Sequence, residues 1–171
     1  MSGIPDAGMV AVYRIATSAP NYGADDLSGA GAKATGGRWN PVGTPVIYTS
    51  RSRALACLET VVHVGSSKPL PLNRYLVELL IPHVQWAART VFRIPAESPE
   101  WDAEPPGHAS IDWGTAWLAS GTSLVAEVPS VVVPEESNVL LNPGHLEISA
   151  VSVWVVRKWM YDSRLALHIR R

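Results

Sequence analysis

Residues 37–59 read GRWNPVGTPVIYTSRSRALACLE, and this stretch predicts a strand that leads directly into a helix. The strand is residues 45–50, a short β-branched and aromatic piece that follows a turn at Gly43. The helix is residues 51–64, in which apolar residues recur at helical spacing. Ser50 or Ser52 is a suitable N-cap for this helix, and Gly65 is a suitable stop.

Three residues of the same stretch have the chemistry of a nucleotide site. Arg38, Tyr48 and Glu59 follow one another at intervals of 10 and 11 residues. A guanidinium binds phosphate in a fork, an aromatic ring stacks on a flat ligand, and a carboxylate stabilises a developing cation. Cleavage of the nicotinamide–ribose bond of NAD requires few groups beyond these three, because nicotinamide is already a good leaving group. Arg38, Tyr48 and Glu59 are therefore the candidate catalytic residues.

Each of these residues also has an ordinary structural explanation. Taken alone, Arg38 reads more readily as a surface arginine in a glycine turn, and Tyr48 as a core residue of its strand. Glu59 lies at the edge of the apolar stripe, where a solvated flank or a salt bridge to Arg51 or Arg53 is the alternative. No single residue decides between these readings.

Five more polar residues are candidates for substrate binding. Arg14 ends the first predicted strand, where a salt bridge at the strand edge is its alternative. For the other four residues, the alternative is a side chain that hydrogen-bonds the backbone in a turn or at a helix cap. The set is Arg14, Asn40, Ser50, Ser137 and Asn138.

The rest of the chain predicts many short strands and few helices. Residues 17–37 and 98–107 are poor in apolar periodicity and predict loops, while residues 112–120 predict a short helix capped by Asp112. Residues 86–94 are ambiguous and are compatible with a short strand. The remaining predicted strands are residues 9–15, 74–81, 124–128, 130–133, 136–141 and 150–156. These elements predict a single α+β domain.

Composition limits the classes of function that the protein can have. The chain has 171 residues, of which 47% are apolar and only 17% charged, with a net charge of −1. The slightly negative net charge disfavours direct nucleic-acid binding. The low fraction of charged residues is compatible with a surface that is covered by a partner. Cys57 is the only cysteine, and neither a secretory signal nor a long apolar span is present. We therefore expect a cytoplasmic protein without a disulfide, a membrane segment or a metal site.

In order and spacing, several motifs of the chain resemble the RES domain, the toxin half of RES–Xre type II toxin–antitoxin pairs. They are Tyr13-Arg14, residues 37–40, residues 46–50, residues 54–59, and Glu136-Ser137-Asn138 followed by Asn142-Pro143. The resemblance implies one domain over residues 1–171, with a core of about 10–156 and a tail at 157–171. It also implies an ADP-ribosyltransferase-like fold, in which a split pair of small mixed or antiparallel sheets surrounds an NAD cleft.

The same resemblance implies an activity and a partner. NAD would be the substrate, with Arg38 on its diphosphate or ribose, Tyr48 stacked on it, Glu59 at the ribose cation, and Ser137 in the same pocket. The expected function is a toxin that consumes NAD as a glycohydrolase or phosphorylase and causes growth arrest, held in a hetero-oligomer by an Xre-type antitoxin. A mono-ADP-ribosyltransferase that modifies a cellular protein is the first alternative. A non-catalytic module that binds a nucleotide or a protein is the second, and the acidic balance disfavours a nuclease.

Overall fold

The computed structural model describes residues 8–64, 69–94 and 100–167, which form one sheet flanked by helices. The strands are β1 (Met9–Thr17), β2 (Ile47–Ser50), β3 (Arg74–Pro82), β4 (Thr90–Val91), β5 (Val125–Pro129), β6 (Ser137–Leu141) and β7 (Ser152–Trp159). The α-helices are α1 (Ala30–Thr35), α2 (Arg53–Val64), α3 (His83–Ala87), α4 (His108–Ser120) and α5 (Arg164–Leu167). Single 3-10 turns cover Glu100–Asp102 and Leu146–Ala150. No helix in the described ranges is both long and apolar enough to cross a bilayer.

The sheet has the strand order β4-β5-β6-β2-β1-β3-β7 and is mixed, because β4 and β5 run parallel whereas the other neighbours are antiparallel. At its middle, β1 and β2 share one register pair, Tyr13 with Ser50. By contrast, β1 pairs with β3 along its whole length, from Met9 to Thr17. The α+β prediction is confirmed. The expected pair of small sheets is not separate, because all seven strands form one mixed sheet whose two halves are joined at the β1–β2 seam by this single pair.

Alternation along the strands gives the sheet two different faces. One face carries a cluster of buried aliphatic side chains, including Val12, Ile47, Val77, Leu79, Val139 and Leu141. The residues between them point the other way, to what we call the site face. The site face carries Tyr13, Tyr48, Ser50, Glu78, Asn138 and Leu140.

Two layers cover the site face. Over β5 and β6 lies the tryptophan cluster, formed by Trp39, Phe92, Trp101, Trp113 and Trp117. Helix α4 supplies two of these rings and packs tightly on the chain, since a Cβ added to Gly114 would lie 1.9 Å from the carbonyl oxygen of Trp39. Helix α2 follows β2 and contacts both β1 and β2. Glu59 of α2 bonds Asn138, which places this helix on the same face.

Most predicted elements are confirmed, with different ends. Helix α2 begins at Arg53, and Ser52 caps it by accepting a hydrogen bond from the amide of Leu55 at 3.0 Å. The predicted stop, Gly65, lies outside the described residues. Strand β7 continues to Trp159, beyond the predicted end at residue 156 and into the segment assigned to the tail.

Three local predictions were wrong. Residues 17–37 include helix α1, whose small residues give no apolar periodicity. Helix α4 begins at His108, so Asp112 lies inside it and does not cap it. Residues 130–133 form a turn, because the hydroxyl of Ser130 accepts hydrogen bonds from the amides of Val132 and Val133 and thereby diverts the chain from the sheet.

Candidate functional site

The carboxylate of Glu59 is fixed by two neutral donors. Its Oε1 atom accepts hydrogen bonds from the hydroxyl of Ser130 at 2.8 Å and from the side-chain amide of Asn138 at 2.5 Å. Its Oε2 atom has no hydrogen bond to any residue in the described ranges. The side chain is half-buried, so one oxygen sets the orientation and the other is available to a ligand.

The two donors are themselves held in place. Ser130 is completely buried, and it is bound by the amides of Val132 and Val133 at 3.1 and 3.0 Å. Asn138 accepts a hydrogen bond from the hydroxyl of Ser50 at 2.7 Å, across the β2–β6 pair. Glu59 is therefore an oriented carboxylate, and within the described ranges no cation neutralises it. A carboxylate of this kind can stabilise positive charge as it develops on a substrate.

Arg38 is oriented by the Glu100–Asp102 turn and the two residues that follow it. Its NH1 group donates to the carbonyl oxygens of Trp101 and Ala103 at 3.1 and 2.8 Å. Its NH2 group donates to Oε2 of Glu104 at 2.9 Å. The Arg38 side chain is 14% exposed and that of Glu104 is 78% exposed. Because NH1 is used by these carbonyl oxygens, Nε and NH2 form the edge of the guanidinium that can bind an oxyanion in a fork.

The hydroxyl of Tyr48 is taken up by hydrogen bonds to neighbouring residues of the protein. The phenol donates to Oδ1 of Asn40 at 2.7 Å and accepts from the amide of Trp39 at 3.0 Å. Burial raises the pKa of this phenol well above its ordinary value, so the hydroxyl stays protonated. Gly37 leaves the room that the phenol occupies, because a Cβ there would lie 2.6 Å from the Tyr48 oxygen. The part of Tyr48 that suits a ligand is its ring.

Asn40 does not reach a ligand in this arrangement. It is 1% exposed, and its amide nitrogen donates to the carbonyl oxygens of Ala32, Pro41 and Thr44. Its side-chain oxygen is used by Tyr48. The structure therefore gives Asn40 the task of positioning Tyr48, where the sequence suggested a pocket wall.

Hydrogen bonds and positions along the chain connect the candidate residues. Arg38 precedes Trp39, whose amide binds Tyr48, and Tyr48 lies two residues before Ser50 on the same face of β2. Ser50 binds Asn138, and Asn138 binds Glu59. Five of the eight sequence-predicted residues are thus connected through β2: Arg38, Tyr48, Ser50, Glu59 and Asn138.

Arg14 and Ser137 lie outside this connected set. Arg14 alternates with Tyr13 and lies on the opposite face, where it donates to the carbonyl oxygens of Ala24 and Asp26 at 2.7 and 2.6 Å. Burial lowers the pKa of its guanidinium. Ser137 alternates with Asn138, and its carbonyl oxygen accepts from the amide of Arg51 at 3.2 Å. We assign neither residue to the site.

Sequence reasoning missed Ser130, which belongs to the site. Three valines follow it, and this composition favoured a strand over a turn. The available signal was the position of the serine directly after Pro129, where a hydroxyl can close a turn by binding amides two and three residues ahead. Its distance from Glu59, 71 residues along the chain, hid the contact.

A second polar group extends the site across the seam. Arg53 forms a salt bridge with Glu78 at 3.0 Å, and its guanidinium lies 4.3 Å from the ring centre of Tyr13. Glu78, Tyr13, Ser50 and Asn138 are register partners on four neighbouring strands and form one polar row. Arg53 therefore pairs with Glu78, and the sequence-based alternative of a salt bridge from Arg53 to Glu59 is not realised.

Other reactive groups among the described residues give no competing site. Cys57 of α2 is half-buried, and burial raises the pKa of its thiol, which disfavours the nucleophilic thiolate. Within the described ranges, no group of three or more His, Cys, Asp or Glu side chains could hold a metal ion.

Comparison with known proteins identifies the family of the chain. Residues 11–164 match the RES domain. The chain is 54% identical over 154 residues to a protein of Sphingobium sp. (strain YBL2) named "Prs ADP-ribosylating toxin", covering 90% of this chain and 94% of that protein. It is 36% identical to "Toxin Res" of Photorhabdus laumondii, over 77% of this chain and 81% of that protein. It is 38% identical to "Toxin Res" of Yersinia enterocolitica, over 78% and 84% respectively.

Proposed function

The chain belongs to the RES domain family, and we propose that it is a toxin that cleaves NAD and transfers ADP-ribose to a protein. The observation that carries this proposal is the Glu59 carboxylate, with Oε1 fixed by Ser130 and Asn138 and Oε2 available. The relative from Sphingobium supports a protein acceptor, because its name describes ADP-ribosylation of Prs. We propose the corresponding Prs protein of the host as the acceptor.

The reaction separates into binding and bond cleavage. The guanidinium of Arg38 binds the diphosphate through its Nε–NH2 edge, and the ring of Tyr48 lies against the flat part of the substrate. The bond between the ribose C1′ and the nicotinamide nitrogen breaks, and nicotinamide leaves neutral with the electron pair. The Oε2 atom of Glu59 stabilises the cationic ribose that develops. A nucleophile of the acceptor then bonds to C1′ and loses its proton.

The acceptor distinguishes this proposal from its nearest rival. Transfer to water or phosphate, the first expectation from the sequence, uses the same NAD-binding residues and stays a prediction. An Xre-type antitoxin is the proposed protein partner, on the strength of the resemblance and of the toxin names of the relatives.

The test is NAD turnover by the purified chain, freed of any antitoxin, with nicotinamide release and protein labelling measured in parallel. Phosphate and purified Prs are added in separate reactions. Label on Prs together with nicotinamide release supports the transferase, whereas release that depends only on water or phosphate identifies the glycohydrolase or phosphorylase. Folded protein that releases no nicotinamide under any condition would leave the non-catalytic binding module.

Variants connect the activity to the site. Glu59→Ala and Arg38→Ala should each lower the rate of nicotinamide release by at least about 100-fold, the scale of removing an electrostatic catalytic group. Glu147→Ala is the matched control, because Glu147 is an exposed glutamate in the Leu146–Ala150 turn, which packs against the opposite face. Full activity in either site variant would contradict the assigned roles.

A further inference from the structure

The anion-binding edge of Arg38 already carries an anion from its own chain. Two N–H groups of its NH1 atom are used by the carbonyl oxygens of Trp101 and Ala103. The carboxylate of Glu104 binds NH2, and Nε has no hydrogen bond to a described residue. Glu104 therefore makes a single hydrogen bond at an edge that accommodates two.

The three residues that bind Arg38, namely Trp101, Ala103 and Glu104, are not held equally firmly in the fold. Trp101 is 6% exposed and stacks in the tryptophan cluster, 6.5 Å from the ring of Trp39. Glu104 is 78% exposed at its side chain. The carbonyl oxygens that orient Arg38 therefore sit on an anchored turn, whereas the carboxylate that covers its outer edge is surrounded by solvent and free to rotate away.

We infer that Glu104 is an internal competitor for the diphosphate of NAD, and that it sets the affinity of the site by occupying the outer edge of Arg38 until substrate displaces it. This inference rests on the proposed function, because it assigns the diphosphate to Arg38. Displacement is favourable, since a diphosphate binds Nε and NH2 together and brings more negative charge than one carboxylate. Trp101 and Ala103 keep the guanidinium oriented during the exchange.

The size of the expected change in ligand affinity follows from the exposure of the Arg38–Glu104 ion pair. An exposed ion pair contributes little, because water and salt screen it, and breaking it should change binding by about two- to fivefold. Glu104→Gln keeps the size of the side chain and removes its charge, so the variant should bind diphosphate ligands tighter by that factor. Glu147→Gln removes the same charge from the opposite face and is the matched control.

The experiment is isothermal titration of wild type, Glu104→Gln, Glu147→Gln and Arg38→Ala with ADP-ribose and, separately, with inorganic pyrophosphate at low salt. We expect a Kd about two- to fivefold lower for Glu104→Gln, no change for Glu147→Gln, and loss of binding for Arg38→Ala. Thermal melts of all four proteins establish that each is folded.

The outcomes separate the two proposals. ADP-ribose binding to wild type that is not tightened in Glu104→Gln overturns the competitor role and leaves the proposed function intact. Tighter pyrophosphate binding in Glu104→Gln, with no ADP-ribose binding by any protein, supports the competitor role and counts against NAD as the substrate. No binding of either ligand by any of the four proteins overturns both.

Discussion

Removing the hydroxyl of Ser130 tests how the site holds its carboxylate. Ser130 is fully buried and donates to Glu59 at 2.8 Å, so Ser130→Ala removes a hydrogen bond to a charged group. Bonds of this kind contribute about 1.5–3 kcal/mol, and the two amides that Ser130 accepts from also lose their partner. We expect kcat/KM for nicotinamide release to fall by about 10- to 100-fold, which corresponds to about 1.4–2.7 kcal/mol.

The double-mutant cycle with Asn138 strengthens this test. Ser130 and Asn138 both donate to the same Oε1 atom of Glu59. Once one donor is removed, the carboxylate can rotate away from the other, so Ser130→Ala and Asn138→Ala should be less than additive in ΔΔG‡. A coupling of about 0.5–3 kcal/mol is the expected range for side chains in one network.

The control is a serine with the same burial and a different neighbourhood. Ser110 in α4 is also completely buried, and its hydroxyl bonds the carbonyl oxygen of Gly107. Ser110→Ala should leave kcat/KM unchanged, and urea unfolding of each variant separates loss of activity from loss of fold. Activity of Ser130→Ala within twofold of wild type, in a folded protein, would refute the reasoning.

Two further predictions concern stability. Gly114→Ala should destabilise the fold by about 1–3 kcal/mol in urea unfolding, because its Cβ would lie 1.9 Å from the Trp39 carbonyl oxygen, whereas Gly31→Ala, with nothing within 4 Å, should not. Tyr48→Phe should cost about 1–3 kcal/mol at neutral pH, since it leaves two hydrogen-bonding partners unpaired. The Tyr48 phenol has a raised pKa in the fold and ionises near about pH 10 when unfolded, so the free energy of unfolding should fall as pH rises above about 10. Tyr48→Phe should make that fall shallower, with a remainder from Tyr13 and Tyr161, whose pKa values burial also raises; an identical slope would contradict this origin.

Local patterns were sufficient for the regular elements around the site. β-branched runs predicted β1, β2 and β3, and the apolar spacing of α2 placed Glu59 at the edge of its buried stripe. That position, directly after β2, is fixed by short-range signals. It is the reason why Glu59 could be singled out before any long-range contact was known.

Contacts between distant segments could not be predicted in this way. Nothing local shows that the turn at Ser130 faces Glu59, or that the carbonyl oxygens of Trp101 and Ala103 hold Arg38. The opposite orientation of Arg14 follows from strand register, which only the pairing of β1 with its neighbours defines. Polar residues chosen by type alone therefore included Arg14 and Asn40, which serve the scaffold.

The span of the Glu59 network has a consequence for synthesis on the ribosome. Glu59 emerges well before its two donors, which follow 71 and 79 residues later in the chain. Strand β6, which carries Asn138, also closes the half of the sheet that contains β2. A nascent chain that ends before β6 therefore has Arg38, Tyr48 and Glu59 but lacks Asn138, one of the two donors that orient the carboxylate. The complete Glu59 network can therefore form only after β6, at Ser137–Leu141, has left the exit tunnel.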